Sequence, residues 1–215
     1  MIDFTLMEKL LPGALGETLY MVGVSSFFAL VLGLPLGWAL FHTEKRSPWI
    51  YKCLNLCVNA GRSFPFAILM IALIPLTKWI IGTSLGTSAA IVPLSFAAAP
   101  FFARLVQSAF KEVSSPLLEA ISLMGASSFQ IFTKVLLSES LASQIRALTM
   151  TAINLTGYSA MAGLIGGGGL GQVAMQYGYQ RFNTPILLAT VILLLLVVEC
   201  LEWLGNFLAK KVSHG

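Results

Sequence analysis

Few residues in this chain have the types and spacing to do chemistry. Gly166, Gly168 and Gly171 formally satisfy G-x-G-x-x-G, the pattern that cradles a dinucleotide pyrophosphate. That chemistry needs a preceding strand within a βαβ unit. Here a long apolar run precedes the glycines, so the plainer reading is a flexible external loop. No G-x-x-x-x-G-K-[ST] is present, so ATP phosphates have no P-loop to sit in. H-E-x-x-H, G-x-S-x-G and paired-carboxylate motifs are absent too, and no catalytic residue is expected. Cys53 and Cys57 share a helix face, but no His or further Cys lies near them and Cys200 is remote. Such thiols lack tetrahedral ligand spacing, so no metal site is expected and apolar burial is the default for them. Glu199, within an apolar run, has the chemistry of a proton relay. An acid reaching the interface or pairing with a base is the duller account.

The other polar cluster is Thr149, Thr151, Asn154, Thr156, Tyr158 and Ser159. It lies in an otherwise apolar run, where polar groups are costly unless they face protein or water. Asn154, Tyr158 and Ser159 are therefore candidates for lining a pathway or a subunit interface, with hydrogen-bond glue between helices as the alternative. Gly157, Ala160, Ala162 and Gly163 allow close helix approach.

These residues need elements to carry them, and composition says which kind. Of 215 residues, 57% are hydrophobic and 10% charged, against about 25% charged in soluble domains. The expectation is an all-α integral membrane protein without a soluble catalytic domain. A spanning helix takes about 20 apolar residues, and five spans are expected, near 17–41, 49–80, 88–110, 141–165 and 184–208. The second is punctuated by Arg62, Pro65 and Pro75, and Arg62 reads as a side chain snorkelling to the cytoplasmic surface or held by backbone carbonyls. Pro35, beside Gly33 and Gly37, can kink the first. Residues 1–16, with Asp3, Glu8 and Lys9, read as a short helix on the membrane surface and not as a signal peptide. Lys45, Arg46, Lys52, Lys111, Lys134, Lys210 and Lys211, with His214 following, fall inside. Lys9, Lys78 and Arg181 fall outside, which gives N-out/C-in. The net charge of +4 comes from residues scattered at span ends and is no nucleic-acid signal.

Between the third and fourth spans lies residues 113–140, VSSPLLEAISLMGASSFQIFTKVLLSES. Pro116 suits a first helical turn, with Ser114 or Ser115 as cap. Leu117, Leu118, Ile121 and Met124 recur at helical spacing. Gly125 permits a sharp turn, and Ser127 or Ser128 can cap a second helix. On pattern alone this is an interfacial helix or a cytoplasmic docking knob.

Glu119-Ala120, then Gly125, then Val135-x-Leu137 resembles the EAA loop of ABC-transporter permeases, although Ile121, Val135 and Ser138 depart from the usual pattern. Arg62-Ser63-Phe64-Pro65-Phe66 resembles a segment of amino-acid-type permeases. The strings 82–86, 90–94, 99–101, 157–161, 168–172 and 177–179 together resemble the methionine-uptake permease family of bacteria, over nearly the whole chain. The resemblance implies a permease homodimer in the bacterial inner membrane. It also implies two ATP-binding subunits that carry ATP and Mg, and an external methionine-binding lipoprotein. No cofactor is implied on this chain. Glu119, Ala120 and Gly125 would dock the ATPase, Met161 would stand at a narrow gate, and L- and D-methionine would be imported. The competing expectations are an ABC permease for another small solute, an ion-driven secondary transporter using Glu199, and a structural membrane protein.

Overall fold

The computed structural model describes residues 4–213, all of whose regular elements are helical. Asp3 and His214 lie outside the described residues. Helix α1 spans Phe4–Arg46. At 1.5 Å per residue it is about 64 Å long, roughly twice the hydrocarbon thickness of a bilayer. The separate surface helix expected over residues 1–16 is therefore, from Phe4 on, the beginning of α1. Pro12 and Pro35 sit inside this helix without interrupting it.

Three helices follow where one punctuated span was expected: α2 (Pro48–Ser63), α3 (Phe66–Ala72) and α4 (Ile74–Ile81). Phe64, ahead of Pro65, is extended, as a residue before proline prefers, and α3 turns away from α2 by 103°. Pro75 then opens α4, and Gly82 in the left-handed region closes it. Helix α5 (Thr87–Lys111) is the core helix, with Leu94, Phe102, Val106 and Phe110 fully buried. The docking stretch folds as α6 (Ser115–Leu123), α7 (Ser128–Ile131), a π-helical turn (Phe132–Leu136) and α8 (Leu137–Glu139). Helix α9 covers Leu141–Leu164. Helix α10 (Gly169–Val173) runs into a π-helical turn (Ala174–Tyr179), and α11 covers Thr184–Ser213.

Small residues set how closely these helices meet. A Cβ at Gly33 would lie 2.8 Å from the Ala99 carbonyl oxygen, and one at Gly37 2.7 Å from that of Ala103. The two glycines therefore seat α1 against α5. The pairings also show that α1 and α5 run the same way. Gly86 N–H donates to the Gly166 carbonyl at 2.9 Å, joining the start of α5 to the end of α9. One end of the bundle therefore holds the ends of α1 and α5, the start of α9 and the α6–α8 stretch. The other end holds the start of α5, the end of α9 and α10.

Among the described residues three helices are long and apolar enough to cross a membrane: Met7–Glu44, Thr87–Lys111 and Thr184–Ser213. The bent pair α2–α3 makes a fourth if it counts as one span. Helix α9, with 24 residues, has the length but carries too many polar groups to pass on hydropathy.

Candidate functional site

The docking stretch is held at its second half and free at its first. Ser127 caps α7 through a reciprocal pair: its backbone N–H donates to Gln130 Oε1 at 2.8 Å, and Gln130 N–H donates to Ser127 Oγ at 3.3 Å. The next turn plugs Phe132 into the core, 4.9 Å from the Trp38 ring and 6.1 Å, edge on, from Phe110. Phe132 thus ties the stretch to α1 and α5 together. Helix α6 has no buried residue. Pro116 lies in its first turn, and Ser114 stands at the N-cap without a side-chain bond. Gly125, at φ +85°, reverses the chain, its N–H donating to the Ser122 carbonyl.

Glu119 and Ala120 lie exposed on α6. Around them Leu123 is 88% exposed, Met124 85% and Phe129 65%. Beside them an open cleft of about 660 Å³ runs between α6 and the end of α1, lined by Trp38, His42, Glu44, Lys111, Leu118 and Glu119. In a membrane protein such apolar residues are covered by lipid or by a partner. The arrangement offers shape and apolar contact, with the Glu44 and Glu119 carboxylates along the cleft.

A polar network braces the same end. The Arg104 guanidinium donates to Gln107 Oε1 at 2.8 Å, to Asn59 Oδ1 at 2.6 Å and to Asn55 Oδ1. Gln107, itself buried, donates to Glu44, which also pairs with Lys111 at 2.8 Å. One arginine fork thus joins α2 to α5, and Gln107 carries the connection to α1. Arg62 lies over the Phe101 ring at 5.8 Å. Ser143 Oγ donates to Glu112 at 2.6 Å, joining the exit of α5 to the entry of α9.

Helix α9 splits its polar residues between two fates. The hydroxyls of Thr149, Thr151 and Thr156 donate to carbonyls four residues back, and Ser159 donates to the Thr156 carbonyl at 2.8 Å. These groups are satisfied within their own helix, so they neither join helices nor need water. Ser159 is buried. Tyr158, half-buried, stacks on Phe66 with centroids 4.8 Å apart and planes 4° apart, joining α9 to α3. The opposite face is bare. Met150, Asn154, Gly157, Met161 and Leu164 recur at helical spacing and are all exposed, and no atom lies within 4 Å of a Cβ placed at Gly157.

A model of the binding-protein-dependent transport system inner membrane component family matches residues 29–214. The chain belongs to that family. Its members are multi-pass inner-membrane permease subunits of ABC transporters, and the chain is accordingly a transport subunit and not an enzyme. It is 45% identical to the probable D-methionine transport system permease protein MetI of Vibrio cholerae, over 98% of this chain and 96% of that one. The MetI permease of Escherichia coli K12 is 47% identical over 73% of this chain and 74% of its own. A chain of the MetNI methionine ABC transporter, solved in an inward-facing conformation, superposes with TM-score 0.94 at 42% identity, covering 98% and 99% of the two chains. An amino acid ABC transporter solved with histidines shares the fold, at TM-score 0.79 and 16% identity.

One expectation is overturned at the far end of this permease. The glycine-rich stretch is not a flexible loop. Gly167 to Gly171 are buried, and residues 169–179 are helical. The glycines are there because the backbone must turn and pack. Gly166, Gly168 and Gly169 have φ between +74° and +90°, and a Cβ at Gly171 would overlap the Ala160 backbone. The sequence reading also missed Glu17, which accepts from Gly169 N–H at 2.6 Å, and the Arg104 network. Helical spacing between Asn55 and Asn59 was the one available sign of the latter.

Proposed function

We propose that this chain is the membrane permease of an ATP-driven methionine importer, taking L- and D-methionine, and that two copies form the translocation path. The observation that carries the reading is α6, an apolar projection with Glu119 on it, in a chain without a nucleotide-binding motif. Such a chain must draw its energy from a partner, and two ATPase subunits holding ATP and Mg are the partners that fit. The likeness to MetI and MetNI supports methionine as the solute. An external methionine-binding lipoprotein delivers it.

The proposed topology is five spans, N-out/C-in, with α2–α4 making one broken span and the polar α9 another. It rests on charge: Arg46, Lys111, Lys134, Lys210 and Lys211 belong to the docking end, and Lys78 and Arg181 to the other. Helix α9 crosses although it is polar, because its hydroxyls are internally satisfied and its bare face meets a second copy around the path. Met161 and Asn154 line that path. Met161 is the gate, closing it with an unbranched apolar side chain that does not hold solute.

Closure of the ATPase pair on ATP draws the two α6 helices together. Phe132 carries the displacement to α1 and α5, shutting the inner side while the outer side opens. A nearly complete switch needs about 5.5 kcal/mol of differential binding. Glu119→Lys and Gly125→Pro test this coupling in proteoliposomes containing the whole transporter. Both are expected to insert normally and to hydrolyse ATP without import. Wild-type import in both would end the docking hypothesis.

A further inference from the structure

We propose that Glu17 and Thr18 form a clasp that locks α10 to α1 and thereby positions the gate end of α9. Both are positioning residues. Gly169 N–H donates to Glu17 Oε2 at 2.6 Å, and Leu170 N–H donates to Thr18 Oγ1 at 2.9 Å. Thr18 is buried, and its own hydroxyl donates to the Ala14 carbonyl at 3.0 Å, so its oxygen is held with a lone pair aimed at α10. The first N–H groups of any helix lack partners within it. A helix as short as α10 cannot hold its place by its own bonds. Here α1 supplies the partners, across 152 residues of sequence.

Nothing can slip between the two elements. A Cβ at Gly168 would lie 2.8 Å from Glu17 Oε2, and one at Gly169 would lie 2.7 Å from Thr18 Oγ1. On its other side α10 meets α9 backbone to backbone. A Cβ at Gly171 would overlap Ala160, and one at Gly163 would overlap the backbone nitrogen of Gln172. Ala160 and Gly163 flank Met161, which is 43% exposed. Residues 160–163 are therefore coupled to α1 through α10, beside the direct packing of α9 on α1, α5 and α11. The clasp is one of the contacts that set the position of Met161.

The gate role of Met161 belongs to the proposed function, so the test reads the clasp separately from import. A Met161→Cys variant, on a background lacking Cys53, Cys57 and Cys200, is assembled with the ATPase in proteoliposomes. Its reaction rate with a membrane-impermeant maleimide is followed, together with hydrogen exchange of the peptide spanning Gly169 and Leu170. Glu17→Ala and Thr18→Val are each expected to speed exchange and thiol modification by about tenfold, the scale of one lost charge-assisted or buried hydrogen bond. Glu17→Gln and Thr18→Ser keep an acceptor and are expected to restore near-original rates, a rescue that general loosening of the fold would not produce. Unchanged thiol reactivity in the Ala and Val variants would overturn the inference. So would equal effects from the conservative and disruptive pairs. Absence of methionine import by the unmutated transporter would count against the proposed function and leave both clasp readouts intact.

Discussion

At Gly171 and Gly157, two glycines some four helical turns apart in sequence, the presence or absence of a Cβ has opposite consequences. Gly171→Ala places a methyl group onto the Ala160 backbone, which cannot move aside as a side chain can. It is expected to cost about 1–3 kcal/mol or to block assembly, seen as a lower Tm or lower yield in detergent. Gly157→Leu starts from open space, since a Cβ there has no other part of the chain within 4 Å. It is expected to leave the folded chain intact while weakening self-association, measured by cross-linking or size-exclusion chromatography. A monodisperse dimer of unchanged strength would remove the bare face of α9 from the interface. Glu199 supplies the contrast with an ion-driven carrier. It is exposed on α11, and among the described residues no hydrogen bond or ion pair to it is found. Glu199→Gln is expected to leave ATP-dependent import unchanged, whereas a carrier role requires its loss.

At the scale of elements, Arg104 gathers three acceptors from two helices. Arg104→Lys cannot reproduce the planar fork and is expected to cost about 2 kcal/mol, with α2 loosening first in hydrogen exchange. Ser127→Ala removes a capping box and is expected to cost about 1 kcal/mol, confined to the docking stretch. Much of the element order was legible beforehand, because it depends on local signals. Pro116, Gly125 and Ser127 act through the backbone within a few residues, and the helix, turn and second helix lie where those residues put them. Long-range partners were not legible. The glycine-rich stretch looks mobile in sequence because nothing local shows that Glu17 and Thr18 will seize its N–H groups. Likewise the threonines of α9 advertise polarity, but their bonding to their own helix carbonyls is a rotamer choice that composition does not reveal. The beginning of α1 looked separable because Glu8 and Lys9 interrupt its apolar pattern, yet the helix runs on.

For the whole molecule, the two ends of the bundle divide the labour. The docking end carries the exposed apolar helix, the cleft and the arginine network. The far end is knit tightly by backbone contacts among α1, α5, α9 and α10. An exposed apolar face at one end and a tightly packed frame at the other are what the proposed coupling requires. The measurement that tests this most directly is uptake of labelled methionine into proteoliposomes holding this chain, the ATPase and the binding lipoprotein, with and without ATP. The account predicts ATP-dependent uptake that unlabelled methionine competes away and other amino acids do not. Uptake by this chain alone, driven by an ion gradient and indifferent to ATP, would contradict it.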